Sequence, residues 1–329
     1  MRTLYKKYRT VALLLLAYAL PVLTRDPYVL HLANMACIFA ILTLSLNILT
    51  GFTGQFSVGH AAFYGIGAYT SSLLAVKAGA PVWLGFLAAP VVAAIFGILL
   101  GLPTLRLRGF YLGVVTLGFG EIMYQVFVNW ISLTNGPKGL TGVPAPRIGS
   151  IVLDTYGSYY FLSITLLVLT IVIAYRLLYS RVGRALMAIR ENETAAEATG
   201  INSTYYKVMA FCISASLAGM AGALYAHEIM FVSPESFVNA ESVSILSMMV
   251  VGGIGSIPGS VVGAITLTLV PEYLRSFGDL RLVVYGLAIV LMVIYSPQGI
   301  GGWITRVDQY LSGTAIRKPV RGGVERGAA

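Results

Sequence analysis

The sequence predicts an all-α polytopic membrane protein with about ten transmembrane segments and both termini in the cytoplasm. Three observations carry that reading. Of 329 residues, 57% are hydrophobic and only 11% charged, whereas a soluble domain carries about 25% charged residues. Apolar runs of about 17–25 residues recur along the chain, the length that crosses a bilayer as a helix. The basic residues are also asymmetric: about 16 of the 22 Lys and Arg fall on one side of the predicted membrane, which the positive-inside rule makes the cytoplasmic side. The net charge of +9 is therefore a topology signal and calls for no nucleic-acid partner.

Hydropathy and breaker residues place the segments near 9–24, 29–50, 56–76, 81–105, 110–133, 160–179, 207–231, 241–254, 259–275 and 281–297. They divide the chain into an N-terminus (1–8), a transmembrane domain (9–303) and a basic tail (304–329) that lacks periodicity and suits an anionic lipid surface. Arg2, Lys6, Lys7 and Arg9 precede the first run, and Ala17-Tyr18-Ala19 imitates a signal-peptidase site. Apolar residues continue past it to Leu23, so an uncleaved first span is expected. The eighth segment is short, and the run from Gly252 to Gly259 reads as a re-entrant turn or a loop. Cys37 and Cys212 lie in apolar runs without metal-ligand partners and read as small buried hydrophobes.

The second and third segments meet in an unusual stretch, LSLNILTGFTGQFSVGHAAFYGIGAYTSSLLA, from Leu44 to Ala75. Glycines weaken a helix in water by about 1 kcal/mol each; in a bilayer they permit close approach or a broken helix beside a cavity. Asn47, Gln55, Ser57 and His60 add polar groups that must find partners. The stretch reads either as a tight helix interface or as a discontinuous segment on a translocation path, with Asn47, Gly51, Gln55, Ser57, Gly59 and His60 as candidates. Glu121 is the acidic residue near the middle of a predicted span, so it is functional or firmly paired, and burial is expected to raise its pKa. His31, His227 and Glu228 near outer ends are expected to snorkel to the interface.

Ser180 to Tyr206 is a hydrophilic interruption between two spanning runs, on the cytoplasmic side. Its middle reads as one short helix. Asn192 is an N-cap, Glu193 suits the positive first turn, and Gly200 closes it with Ile201 folded back on Ala196. Two turns are marginal alone and need something to dock against; the alternative is a plain connector.

Several enzyme motifs fail. His227-Glu228 lacks the second histidine of a zinc-protease pair, since Phe231 stands there. The glycines at 253, 255 and 259 have the wrong spacing for a dinucleotide fingerprint, and Gly136-Pro137-Lys138-Gly139 is no Walker A loop. With no P-loop in the sequence, ATP-driven transport would need a separate ATPase.

The pattern E-x-A-A-x-x-x-G-I at Glu193–Ile201 resembles the EAA loop of bacterial ABC importer permeases, in the looser form that places Glu193 one residue before the consensus glutamate, at Thr194. The Leu44–Ala75 stretch, LGVVTLGFGEI (Leu112–Ile122), TNGPKGLTGVP (Thr134–Pro144), GRALMAIRENETAAEATGI (Gly183–Ile201) and MMVVGGIGSIPGSVVGA (Met248–Ala264) together resemble the M-type branched-chain amino acid ABC permeases, from about Ile38 to Gly301. That resemblance implies a non-enzymatic subunit of a bacterial inner-membrane importer for branched-chain amino acids. It implies a second, related permease, two cytoplasmic ABC ATPase subunits and an external substrate-binding protein, with no cofactor in this chain and ATP and magnesium held by the ATPase. The loop 180–206 would be the coupling element, with Asn192, Glu193, Ala195, Ala196, Glu197 and Gly200 at the dock. Similar permeases import urea and short amides. A proton-coupled carrier using Glu121 is the alternative of a different class.

Overall fold

A computed structural model describes residues 17–274 except 25, 105, 106, 108, 149 and 150, together with 286, 287, 290, 294 and 299–302. Half of the first predicted span, most of the last, Arg106, Arg108 and the basic tail lie outside the described residues. The architecture is helical. Among the described residues, five helices are long and apolar enough to cross a membrane, which makes this a multi-pass membrane protein.

Helix α1 (Pro27–Leu46) starts at Asp26, whose carboxylate accepts the Tyr28 N–H at 2.9 Å, and runs into a π-helical turn, Asn47–Gly51. Residues 54–59 are not helical, and α2 (His60–Val76) turns back. The predicted third span therefore begins four residues late, because the glycine-containing approach is irregular backbone. Helices α3 (Val82–Thr104), α4 (Phe110–Asn129) and α5 (Tyr156–Leu178) follow. Two shorter helices, α6 (Arg181–Glu191) and α7 (Glu193–Ala198), precede the long α8 (Ser203–Ile229). Last come α9 (Asn239–Gly252) and α10 (Ile257–Tyr273). The fourteen residues of α9 rise about 21 Å, too little to cross about 30 Å of hydrocarbon.

The centre is α1, α2 and α8, with α3 packed along α8. Backbone contact holds them together: a Cβ on Gly67 of α2 would lie 2.1 Å from the Gly219 carbonyl oxygen of α8, and one on Gly222 would lie 2.1 Å from the Tyr64 carbonyl oxygen. Such small-residue seams replace the hydrophobic drive that is missing between helices in lipid. The outer face of α3 carries Leu84, Leu87, Val91, Ile95 and Leu102, all exposed, at the spacing of one helix face. In a bilayer that face meets acyl chains.

Polar residues near the outer end turn inward, against the expected snorkelling. The ring of His227 is fully buried, its Nε2 2.8 Å from Ser71 Oγ and its Nδ1 2.7 Å from the Pro144 carbonyl. Glu228 is buried and accepts from Asn34 Nδ2 at 3.1 Å, with His31 Nδ1 at 3.3 Å. Each found a partner inside, which costs less than stretching a short side chain to water. The outer connections meet as well: β1 (Leu140–Thr141) pairs antiparallel with β4 (Phe231–Val232), while β2 (Arg147–Ile148) and β3 (Ile151–Val152) form a small hairpin.

Candidate functional site around the loop 180–206

The loop from Ser180 to Tyr206 contains two helices where the sequence reading placed one. Ser180 Oγ accepts the Gly183 N–H at 3.2 Å and starts α6. That helix buries Gly183, Ala185, Leu186 and Ile189 and leaves Arg181, Arg184 and Arg190 exposed. The basic residues read as topology markers are therefore also the polar face of an amphipathic helix.

Helix α7 has the ends its sequence predicts. Asn192 Oδ1 accepts the Ala195 N–H at 3.0 Å. Gly200 lies at φ +86°, and the Ile201 N–H reaches the Ala196 carbonyl at 3.1 Å, the long bond of a Schellman ending. Of the candidate docking residues, Ala196 is buried and Ala195, Glu197 and Gly200 are exposed. The two carboxylates turn toward α8. Glu193 forms an ion pair with Lys207, whose side chain is almost fully buried, and Glu197 accepts from the Ser203 hydroxyl. A two-turn helix is thus fastened to the start of a transmembrane helix at both of its acidic positions. The surface it shows outward is Thr194, Ala195, Ala198 and Thr199, small side chains that let another surface approach its backbone.

The break between α1 and α2 lies against this loop. Arg190 Nη1 donates to the Gly51 carbonyl at the end of the π turn. Asn47 Oδ1 accepts the Gly255 N–H at 2.7 Å, which ties the turn before α10 to the same point. Thr50 Oγ1 donates to the Gln55 carbonyl at 3.0 Å, and the Val58 N–H to Thr116 Oγ1 at 2.9 Å. His60 Nε2 lies 2.6 Å from Ser45 Oγ; that hydroxyl already donates to the Leu42 carbonyl, so the ring nitrogen is the donor. Asn47, Gly51, Gln55, Ser57, Gly59 and His60 are all buried in this chain. Among the described residues, Asn47 Nδ2, Ser57 Oγ and His60 Nδ1 have no hydrogen-bond partner, so three polar atoms in the core stand in reserve for a different arrangement or for water.

Glu121 is elsewhere, and burial was the wrong expectation. It is exposed on the face of α4, where Oε1 accepts from Gln125 Nε2 at 2.9 Å and Oε2 from Asn239 Nδ2 at 3.1 Å. Asn129 Nδ2 continues the row, donating to Gln125 Oε1 at 3.1 Å. Gly118, Glu121, Gln125 and Asn129 line one shallow groove with Ile122, Val126 and Trp130. The sequence reading missed Gln125 and Asn129, although polar residues at i, i+4 and i+8 of an apolar span are a legible face. Carboxylate and amide groups on a membrane helix do not face acyl chains without a large cost. This stripe therefore belongs against water or another polypeptide.

The sequence has relatives among known proteins. The family described as the branched-chain amino acid transport system permease component matches residues 28–294. This chain belongs to that family. The high-affinity branched-chain amino acid transport system permease protein LivM of Salmonella typhimurium is 38% identical over 321 residues, covering 91% of this chain and 75% of the relative. Its Escherichia coli K12 counterpart matches at the same identity and coverage. The E. coli permease LivH of the same system is 27% identical over 293 residues, or 80% of this chain and 91% of the relative. No solved structure matches. The chain is thus a transport permease and not an enzyme.

Proposed function

We propose that this permease is the M-type membrane subunit of an ATP-driven importer for branched-chain amino acids in a bacterial inner membrane. It forms the translocation path with a second, related permease, receives cargo from an external binding protein, and couples to two separate cytoplasmic ATPase subunits that hold ATP and magnesium. The observation that carries the reading is the loop 180–206: a capped two-turn helix with its carboxylates committed to α8 and its small side chains facing outward. A short rigid helix bound to a transmembrane helix can receive a push from a cytoplasmic partner and pass it on. The cargo reading rests on the transport systems of the LivM and LivH relatives.

In this mechanism, closure of the ATPase pair displaces α7, and Lys207 and Ser203 carry the displacement into α8. Because α8 is in backbone contact with α2, the permease core reorients instead of deforming locally. The exposed stripe of Glu121, Gln125 and Asn129 lies along the path shared with the second permease, where its polar groups stay solvated or paired. The N-terminus lies inside, which puts the loop 180–206 on the cytoplasmic side.

Gly200→Asp tests the dock. At φ +86°, with open space around the missing Cβ, the substitution loses about 1 kcal/mol or more through the left-handed backbone alone and tilts the helix end. The assembled complex is expected to form and to lose substrate-stimulated ATP hydrolysis. Wild-type stimulation in that variant would make the loop a connector only.

A further inference from the structure

We propose that Arg190 is a positioning residue, a strut that makes the loop 180–206 and the break between α1 and α2 move as one body during transport. The inference rests on the docking reading above and goes beyond it, because α7 already has its own attachment to α8 through Lys207 and Ser203. Arg190 forms a second, separate route.

Three glycines surround this side chain. Its guanidinium donates to the carbonyl of Gly51, the last residue of the π turn. Carbonyls at a helix C-terminus lack intrahelical partners and carry partial negative charge, so a guanidinium there is favoured twice. A Cβ on Gly255 would lie 3.0 Å from Arg190 Nη1, and one on Gly54 would lie 3.3 Å from Arg190 Cγ. The arginine thus lies between the end of α1 and the turn that leads into α10. Asn47 closes the joint from the other side by accepting the Gly255 N–H. A Cβ on Gly51 would fall 1.9 Å from Asn47 Oδ1, so the π turn admits only glycine there.

Three separate pieces of the sequence therefore meet at one point: residues 47–54, 190 and 255. Arg190 is two residues before the N-cap of α7, so any displacement of that helix reaches the guanidinium directly. What it grips is irregular: a π turn, six non-helical residues and a glycine turn at φ +84°. Irregular backbone of this kind is where a transporter's helices change arrangement. Of the seven buried side-chain polar atoms without a hydrogen-bond partner among the described residues, three, at Asn47, Ser57 and His60, lie in this segment.

The test uses the purified complex in proteoliposomes, reading cargo uptake and ATP hydrolysis together. Arg190→Gln keeps the length and loses the charge; its uptake per ATP hydrolysed is expected to fall about tenfold, with Arg190→Lys recovering a substantial part because it keeps a charged donor. A wild-type ratio in Arg190→Gln overturns the strut. A measurement that leaves Arg190 in place covers the case of poor assembly: spin labels at Met187→Cys and Phe56→Cys, both exposed, in a background where Cys37 and Cys212 are replaced. The strut predicts the same label separation in nucleotide-free and ATP-bound complexes; a change of about 5 Å, one helical turn, contradicts it. Failure of the docking reading looks different, since it appears as normal stimulation in Gly200→Asp. Failure of the strut alone leaves Gly200→Asp uncoupled and Arg190→Gln coupled.

Discussion

Glu121 shows how a single carboxylate can be read two ways in a membrane helix. Both of its oxygens are engaged, one by Gln125 and one by Asn239, and the neighbouring groups are amides that can turn to donate or accept. If those bonds are its role, Glu121→Gln transports at close to the wild-type rate, because an amide replaces each bond after Asn239 flips. Glu121→Leu removes the acceptor of both Gln125 and Asn239 and is expected to lower the yield of assembled complex where this stripe meets the second permease. A residue that carries a proton fails differently: Gln is then as damaging as Leu while the complex still assembles. Uptake by purified Glu121→Gln decides between them. The polar role fits an importer driven by ATP; a titrating carboxyl fits a proton-coupled carrier.

At the scale of elements, the seam between α2 and α8 is where the packing leaves least room. A Cβ on Gly67 meets the backbone of Gly219 at 2.1–2.5 Å, and neither helix can give way without losing its other contacts. Gly67→Leu is expected to abolish accumulation of the assembled complex in the membrane, and Gly67→Ala to reduce it; a wild-type yield of Gly67→Leu would mean that the two helices do not cross here. The glycines of this segment were visible as a small-residue pattern, but their neighbour was not, since the contact joins residues about 150 positions apart. The caps of α7 were legible because every bond involved is local. Arg190, Lys207 and Gly255 were not, because their roles come from what the fold brings beside them. The inward turn of His227 and Glu228 was misread for the same reason: Asn34 and Ser71 are distant in sequence. Long apolar helices declare themselves by composition, whereas the fourteen-residue α9 sits between a span and a re-entrant piece and composition does not separate the two.

For the whole molecule, two sets of connections gather at opposite ends of the bundle. The pairing of β1 with β4 joins residues 140–141 to 231–232, and the Trp83 indole N–H donates to the Arg147 carbonyl at 2.6 Å. At the other end, Arg190, Gly51 and Gly255 meet. The positive-inside rule assigns the second end to the cytoplasm. A single cysteine at Lys138, exposed in the first set, is therefore expected to react with an impermeant maleimide in intact cells, in a background where Cys37 and Cys212 are replaced. One at Thr194 is expected to react only after permeabilisation. The reverse labelling would invert the orientation and place the loop out of reach of any cytoplasmic ATPase.

The most direct test of the central claim is radiolabelled leucine uptake into proteoliposomes containing this permease, its partner permease, the ATPase subunits and the external binding protein. Uptake is expected to require ATP, to persist with an uncoupler, and to be competed by isoleucine and valine but not by urea. Uptake that survives ATP depletion and collapses with an uncoupler would contradict the account.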